Sequence, residues 1–233
     1  MKQKYFIVIC VVFFLLSIGI VSAQSSYTKN GLNGAMFDAH STFNIDNILG
    51  NVGGQLGYSI GGILDVGMKF SVAYDEVEGK DSRETNIGLR YGIMLAKQEE
   101  HSPVSAELTG NYGYSFIESN YYEDANQQKE GQGYYIRLNV FRNFTTGDSA
   151  GIRLGPYAAF RSYSYTIQDI SPETEEGREF SPERETNFFY GLIGTYHNKT
   201  KQGKTYYVSI EPAMDTDFKF SARLCTGLVF EIR

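Results

Sequence analysis

The sequence predicts an all-β chain folded as a single antiparallel, up-and-down transmembrane β-barrel of ten strands, with eight as the alternative, after a cleaved signal peptide. Three observations predict it. Apolar side chains recur at every second position along most of the chain, so each segment has one apolar face and one polar or small face. Most segments reach or exceed the roughly 9 to 11 residues a tilted strand needs to cross a bilayer, where strands of soluble proteins run about 5 to 6. The connections alternate between short turns and long polar stretches, the layout of a barrel with turns on one side of a membrane and loops on the other.

The first element is an export signal over 1–23. Lys2 and Lys4 supply the charged start, Phe6 to Ile20 is apolar apart from Ser17 and Gly19, and Val21, Ser22 and Ala23 precede Gln24 as a cleavage site. Residues 24–34 form a short N-terminal segment, and 35–233 the barrel. Strands are expected at 35–44, 52–60, 63–74, 85–97, 103–117, 132–145, 150–167, 185–199, 204–213 and 217–232. The most regular is the fifth, where Val104, Ala106, Leu108, Gly110, Tyr112, Tyr114 and Phe116 alternate with Ser105, Glu107, Thr109, Asn111, Gly113 and Ser115. The first is the least regular, because Asp38, His40 and Thr42 interrupt it. If 24–51 were a plug or tail, parity would leave eight strands.

Gly61-Gly62, Gln98 to Ser102, Thr146 to Ser149 and Thr200 to Gly203 read as tight turns. Asp75 to Glu84, Glu118 to Gly131 and Gln168 to Arg184 read as long external loops holding 15 acidic and 5 basic residues, a net charge of -10. Without the signal peptide the chain has 19 basic and 27 acidic residues, or -8, so these loops hold more than the whole net charge. Tyr74, Phe116, Tyr134, Tyr163, Tyr165, Phe188, Tyr190 and Phe220 gather near the external strand ends, and Tyr58, Phe144, Tyr196, Tyr206 and Phe230 near the other. Two such belts suit rings seated at headgroup level.

With the signal ending in Ser-Ala before Gln and the C-terminal run Thr-Gly-Leu-Val-Phe-Glu-Ile-Arg, the chain resembles the small outer-membrane β-barrel (porin-like) family of Gram-negative bacteria. The resemblance implies an insertion signal in the last strand, matched by Gly227, Phe230 and Ile232, though the usual terminal aromatic is replaced by Arg233. It also implies the cell outer membrane as location, with its lipid, its lipopolysaccharide and the barrel-insertion machinery as partners.

Composition excludes other classes. Lys+Arg 21 against Asp+Glu 27 is no nucleic-acid binder, and beyond the signal no apolar run approaches the roughly 18 residues of a spanning helix. Cys225 is the single thiol left after cleavage and reads as a packing residue. His40, His101 and His197 lack metal-ligand spacing, no loop matches a calcium-binding pattern, and no cofactor is expected. Asp38, His40 and Ser41 are the nearest approach to a hydrolase seed, but strand alternation sends His40 and Ser41 to opposite faces. The sequons at Asn143 and Asn198 read as chance in an exported bacterial barrel.

The polar faces instead suggest a network filling a narrow bore: Lys69, Arg90, Glu107, Arg137, Arg153, Arg161, Glu211, Lys219 and Arg223. For the final hairpin we expect Glu211 opposite Lys219, Ser209 opposite Ser221 and Tyr207 opposite Arg223. The expected function is non-enzymatic, structural or surface-interacting through the acidic loops, with the surface partner unspecified. A narrow channel for small solutes and a soluble exported barrel binding a small apolar ligand are the alternatives.

Overall fold

The computed structural model describes residues 28, 31–44, 50–77, 80–98, 102–120, 127–146, 149–169 and 181–232. The expected signal peptide lies outside them. Ten strands follow in order: β1 Asn33–Asn44, β2 Asn51–Ile60, β3 Leu64–Val77, β4 Lys80–Ala96, β5 Ser105–Ser119, β6 Gln127–Thr145, β7 Ala150–Asp169, β8 Ser181–Lys199, β9 Lys204–Asp215 and β10 Phe220–Ile232. Each pairs antiparallel with its sequence neighbours, and β1 pairs with β10 from Asn33↔Ile232 to Asn44↔Ser221, so the sheet is a closed barrel. β1 is a full strand despite its polar residues, and the count is ten.

The turns at one end form for local reasons. Gly61 and Gly62 both have positive φ (59° and 65°) and Ile63 N–H donates to the Ile60 carbonyl at 3.1 Å, the primed two-residue turn whose twist matches that of its strands. The same end holds Thr28, which is buried and whose carbonyl accepts from Lys97 Nζ at 2.6 Å.

The opposite end differs from expectation. Much of what reads as loop is strand: β3 and β4 stay paired out to Val77↔Lys80, β6 and β7 out to Gln127↔Asp169, and β7 and β8 out to Ile167↔Ser181. Backbone ladders need no apolar face, so pairing continues where the side chains are polar on both sides. The segments 121–126 and 170–180 lie outside the described residues.

The final hairpin has a different register from the expected one. Glu211 faces Arg223, Ser209 faces Cys225 and Tyr207 faces Gly227. The turn sets this: the Asp215 carboxylate accepts from the backbone N–H groups of Asp217 and Lys219, both at 2.9 Å, and Phe218 sits at φ 61°. Lys219 is therefore an exposed turn residue.

Burial is inverted relative to a soluble barrel. Large apolar side chains are exposed on the outer wall, among them Leu89 (62%), Leu192 (59%), Ile210 (58%), Leu95 (56%) and Met68 (56%). The fully buried ones include Glu107 (1%), Asp65 (0%) and Arg153 (3%). Tyr163 and Tyr165 depart from the expected belt. They face inward, their rings lying over Gly133 and Gly131 of β6, where an added Cβ would fall 2.6 and 2.4 Å from the ring carbons.

A polar lumen as the candidate functional site

Strand alternation gives the lumen one inward residue in two from all ten strands, and large and small side chains share the space. Gly57 on β2 shows the accommodation. A Cβ there would meet the Met36 sulfur at 2.3 Å, and that sulfur receives Arg90 Nη1 at 3.1 Å. Arg90 Nη2 lies 4.0 Å from the Asp65 carboxylate.

Two acceptors organise the rest. Asp38 on β1 takes Gln55 Nε2 from β2 at 2.8 Å and Tyr207 O–H from β9 at 3.1 Å, with His40 Nδ1 at 3.2 Å. Glu211 on β9 takes Arg137 Nη1 from β6 at 2.6 Å, faces Arg223 Nη1 from β10 at 3.5 Å, and accepts from Ser209 at 3.3 Å. Arg137 is held further by Asn139 Oδ1 at 2.5 Å and lies with its guanidinium carbon 3.7 Å above the Tyr157 ring. Asn139 passes the connection to Glu107 Oε2 at 3.3 Å, and Thr195 donates to Ser209 at 2.9 Å. Arg153 stacks 4.1 Å from the Phe141 ring and donates to Asn143 at 3.1 Å. A paired charge in a poorly hydrated bore is tolerated because its remaining hydrogen-bonding positions are filled; removing one partner leaves the other costly.

Of the residues singled out from sequence, Arg90, Glu107, Arg137, Arg153 and Glu211 are buried inward, Arg223 is half-buried beside Glu211, and Lys69 is half-buried opposite Gln55. Among the described residues Lys69 makes no ion pair. Arg161 packs 5.5 Å from the Phe189 ring. Lys219 stands apart in its turn. Gly227 is buried, while Phe230 and Ile232 fall on the outer face. Asp38 and His40 are brought together, and Ser41 is on the opposite face. Sequence reasoning missed Asp38, Gln55, Asp65 and Asn139 as lumen members. Asn139 and Asp65 share the inward parity of Arg137 and Lys69, two and four positions away, and extending it would have found them; β1 and β2 offered no inward charge from which to reach Asp38 and Gln55.

A cavity of about 20 Å³ remains, lined among others by Glu107, Arg137, Arg153, Glu211, Arg223 and Cys225. That is room for one or two waters. Glu107 Oε1 is buried without a hydrogen-bond partner there and is a natural acceptor for such a water. Among the described residues no group of three or more His, Cys, Asp or Glu is placed to hold a metal ion.

No protein-family model matches the sequence, and no curated protein matches it. Among solved structures the chain is similar to the outer membrane protease OmpT from Escherichia coli, with a TM-score of 0.41 and 9% identity over 86% of this chain and 96% of that one.

Proposed function

We propose that the protein is a non-enzymatic integral barrel of the Gram-negative outer membrane, its lumen filled by side chains and its acidic hairpins serving surface contact. The inverted burial carries this reading: charges buried inside and an apolar girdle outside. In water that girdle would cost about 25 cal/mol for every Å² exposed. In lipid it costs nothing, and a closed sheet leaves no backbone edge unsatisfied there. Dimensions agree. On β3 the outward row runs from Leu64 to Tyr74, ten residue steps. At about 3.3 Å per step and a typical tilt near 40°, that row rises roughly 25 Å, the height of the apolar band of such barrels.

In this reading the outward residues contact lipid and lipopolysaccharide, and the last strand, with Gly227, Phe230 and Ile232, is the segment read by the insertion machinery. A soluble barrel carrying an apolar ligand would need an apolar interior of at least a few hundred Å³; the charged lumen and its small cavity oppose that. The test is gel migration of the membrane fraction after a high-pH wash, boiled against unboiled. The expected result is a band that stays with outer membranes and migrates differently only after boiling. Recovery in the soluble periplasmic fraction with no shift would overturn the proposal.

A further inference from the structure

The hairpin end of the barrel is uneven. Strand β8 pairs with β7 from Ser181 onward but with β9 only from Phe189, so among the described residues Ser181–Phe188 has a neighbouring strand on one side alone. The cause is the early β9–β10 turn. Its Thr216 N–H donates to the Phe188 carbonyl at 3.2 Å, which closes the ladder and also fixes its phase. The N–H and C=O of a strand residue point to the same side and alternate along the chain. Thr186, Arg184 and Pro182 therefore turn their backbone polar groups to the open edge, while Asn187 and Glu185 turn theirs to β7.

We infer that this edge is a β-addition site for an extended cationic segment of another protein. The inference rests on the reading of the chain as a membrane barrel with its hairpin end outward. An unpaired strand edge is a template for a further strand, and proteins usually blunt it with proline or charge. Here Pro182, lacking an N–H, closes one end of the edge and the turn at Thr216 closes the other. Between them Thr186 and Arg184 offer two N–H groups and their carbonyls. With its amide turned to satisfy both ends, Asn187 reaches the Thr186 carbonyl at 2.8 Å, which leaves that oxygen a second lone pair.

Charge selects the occupant. Among the described residues, the strand ends at this rim within 75–84, 118–131 and 168–184 have eight acidic and four basic residues, a net charge of -4, and Glu118 and Glu185 are exposed there. A second copy would bring the same acidic rim against itself, and like charges directly opposite one another oppose strand pairing. Beside the base of the edge Phe218 is 78% exposed, an apolar contact for a side chain of the added strand.

The experiment uses the full chain in detergent micelles and a fluorescent ten-residue peptide of alternating lysine and valine, read by anisotropy. A second peptide has the same sequence with alternate backbone nitrogens methylated. We expect saturable binding that weakens as salt rises and falls about tenfold, the size of one or two net hydrogen bonds, on methylation or on Thr186→Pro. Thr186→Ala should bind as the parent does. Proline at 186 removes an N–H that points away from β7, so the barrel should keep its heat-dependent migration. Equal binding by both peptides and by Thr186→Pro would mean adsorption by charge alone and would overturn the inference, as would no saturable binding. Either result with heat-dependent migration intact sinks the edge site and leaves the barrel reading standing. Loss of that migration in the parent chain would instead sink the barrel reading.

Discussion

Glu211 is the side chain on which the lumen most depends, because one carboxylate answers two arginines from different strands, Arg137 at 2.6 Å and Arg223 at 3.5 Å. Truncating it leaves two guanidinium groups in a bore with room for little water. Glu211→Ala should cost on the order of 3 to 5 kcal/mol, the range found when one partner of a buried pair is removed. Glu211→Gln, which keeps the shape and an acceptor oxygen, should cost less. The urea midpoint at which the compact, unboiled band is lost measures both. An unchanged midpoint in Glu211→Ala would mean that the pair does not hold the lumen together. At the same scale, sequence placed most of the inward charges, passed over Asp38 and Asp65, counted Lys219, which stands in a turn, and did not tell which charges meet. Period two assigns Glu211, Arg137 and Arg223 to one face, and only the register and the curvature of the closed sheet bring them to one point.

Among elements, legibility followed the apolar face. Strands β3, β5 and β7 were readable because one residue in two is apolar where it meets the exterior. β1 was hard because its inward positions are Asp38 and His40 and its outward ones include Ala39 and Ser41, so the contrast between faces is weak. The outer reaches of β3, β4, β6, β7 and β8 look like loop in the sequence because both faces are largely polar there, and hydropathy contrast is the only signal that alternation offers. The last hairpin's register differs from the expected one because alternation does not report where a turn falls, and the Asp215 carboxylate holds it at 216–219, centred two residues later, which moves every pair. In a Cys225→Ser background, Ala213→Cys with Ser221→Cys should form a disulfide when the folded protein is oxidised, since these two residues are directly opposed. Ser209→Cys with Ser221→Cys, the pair the sequence-based register would join, should not. Non-reducing gel mobility distinguishes the two, and the reverse pattern would reject the observed register.

The molecule as a whole is a closed wall of ten strands with charged side chains buried inside it. With about 20 Å³ of free space among Glu107, Arg137 and Arg153, purified protein in a planar bilayer should show no steady conductance; a stable ohmic current would mean that the lumen side chains move aside and that the channel reading is the better one. Closure itself depends on a single seam. Nine of the ten strand pairings join neighbours in sequence and can form as hairpins, but the tenth joins Asn33 to Ile232, the two ends of the barrel sequence. The cylinder therefore cannot complete until its last 13-residue strand has been delivered. Until then the growing sheet has two bare sides, each a template for a neighbouring chain in the same condition. A chain released without β10 would be not a slightly smaller barrel but an open, sticky sheet, so the interval before the seam closes, more than the finished fold, is when its strand edges are most exposed to pairing with another chain.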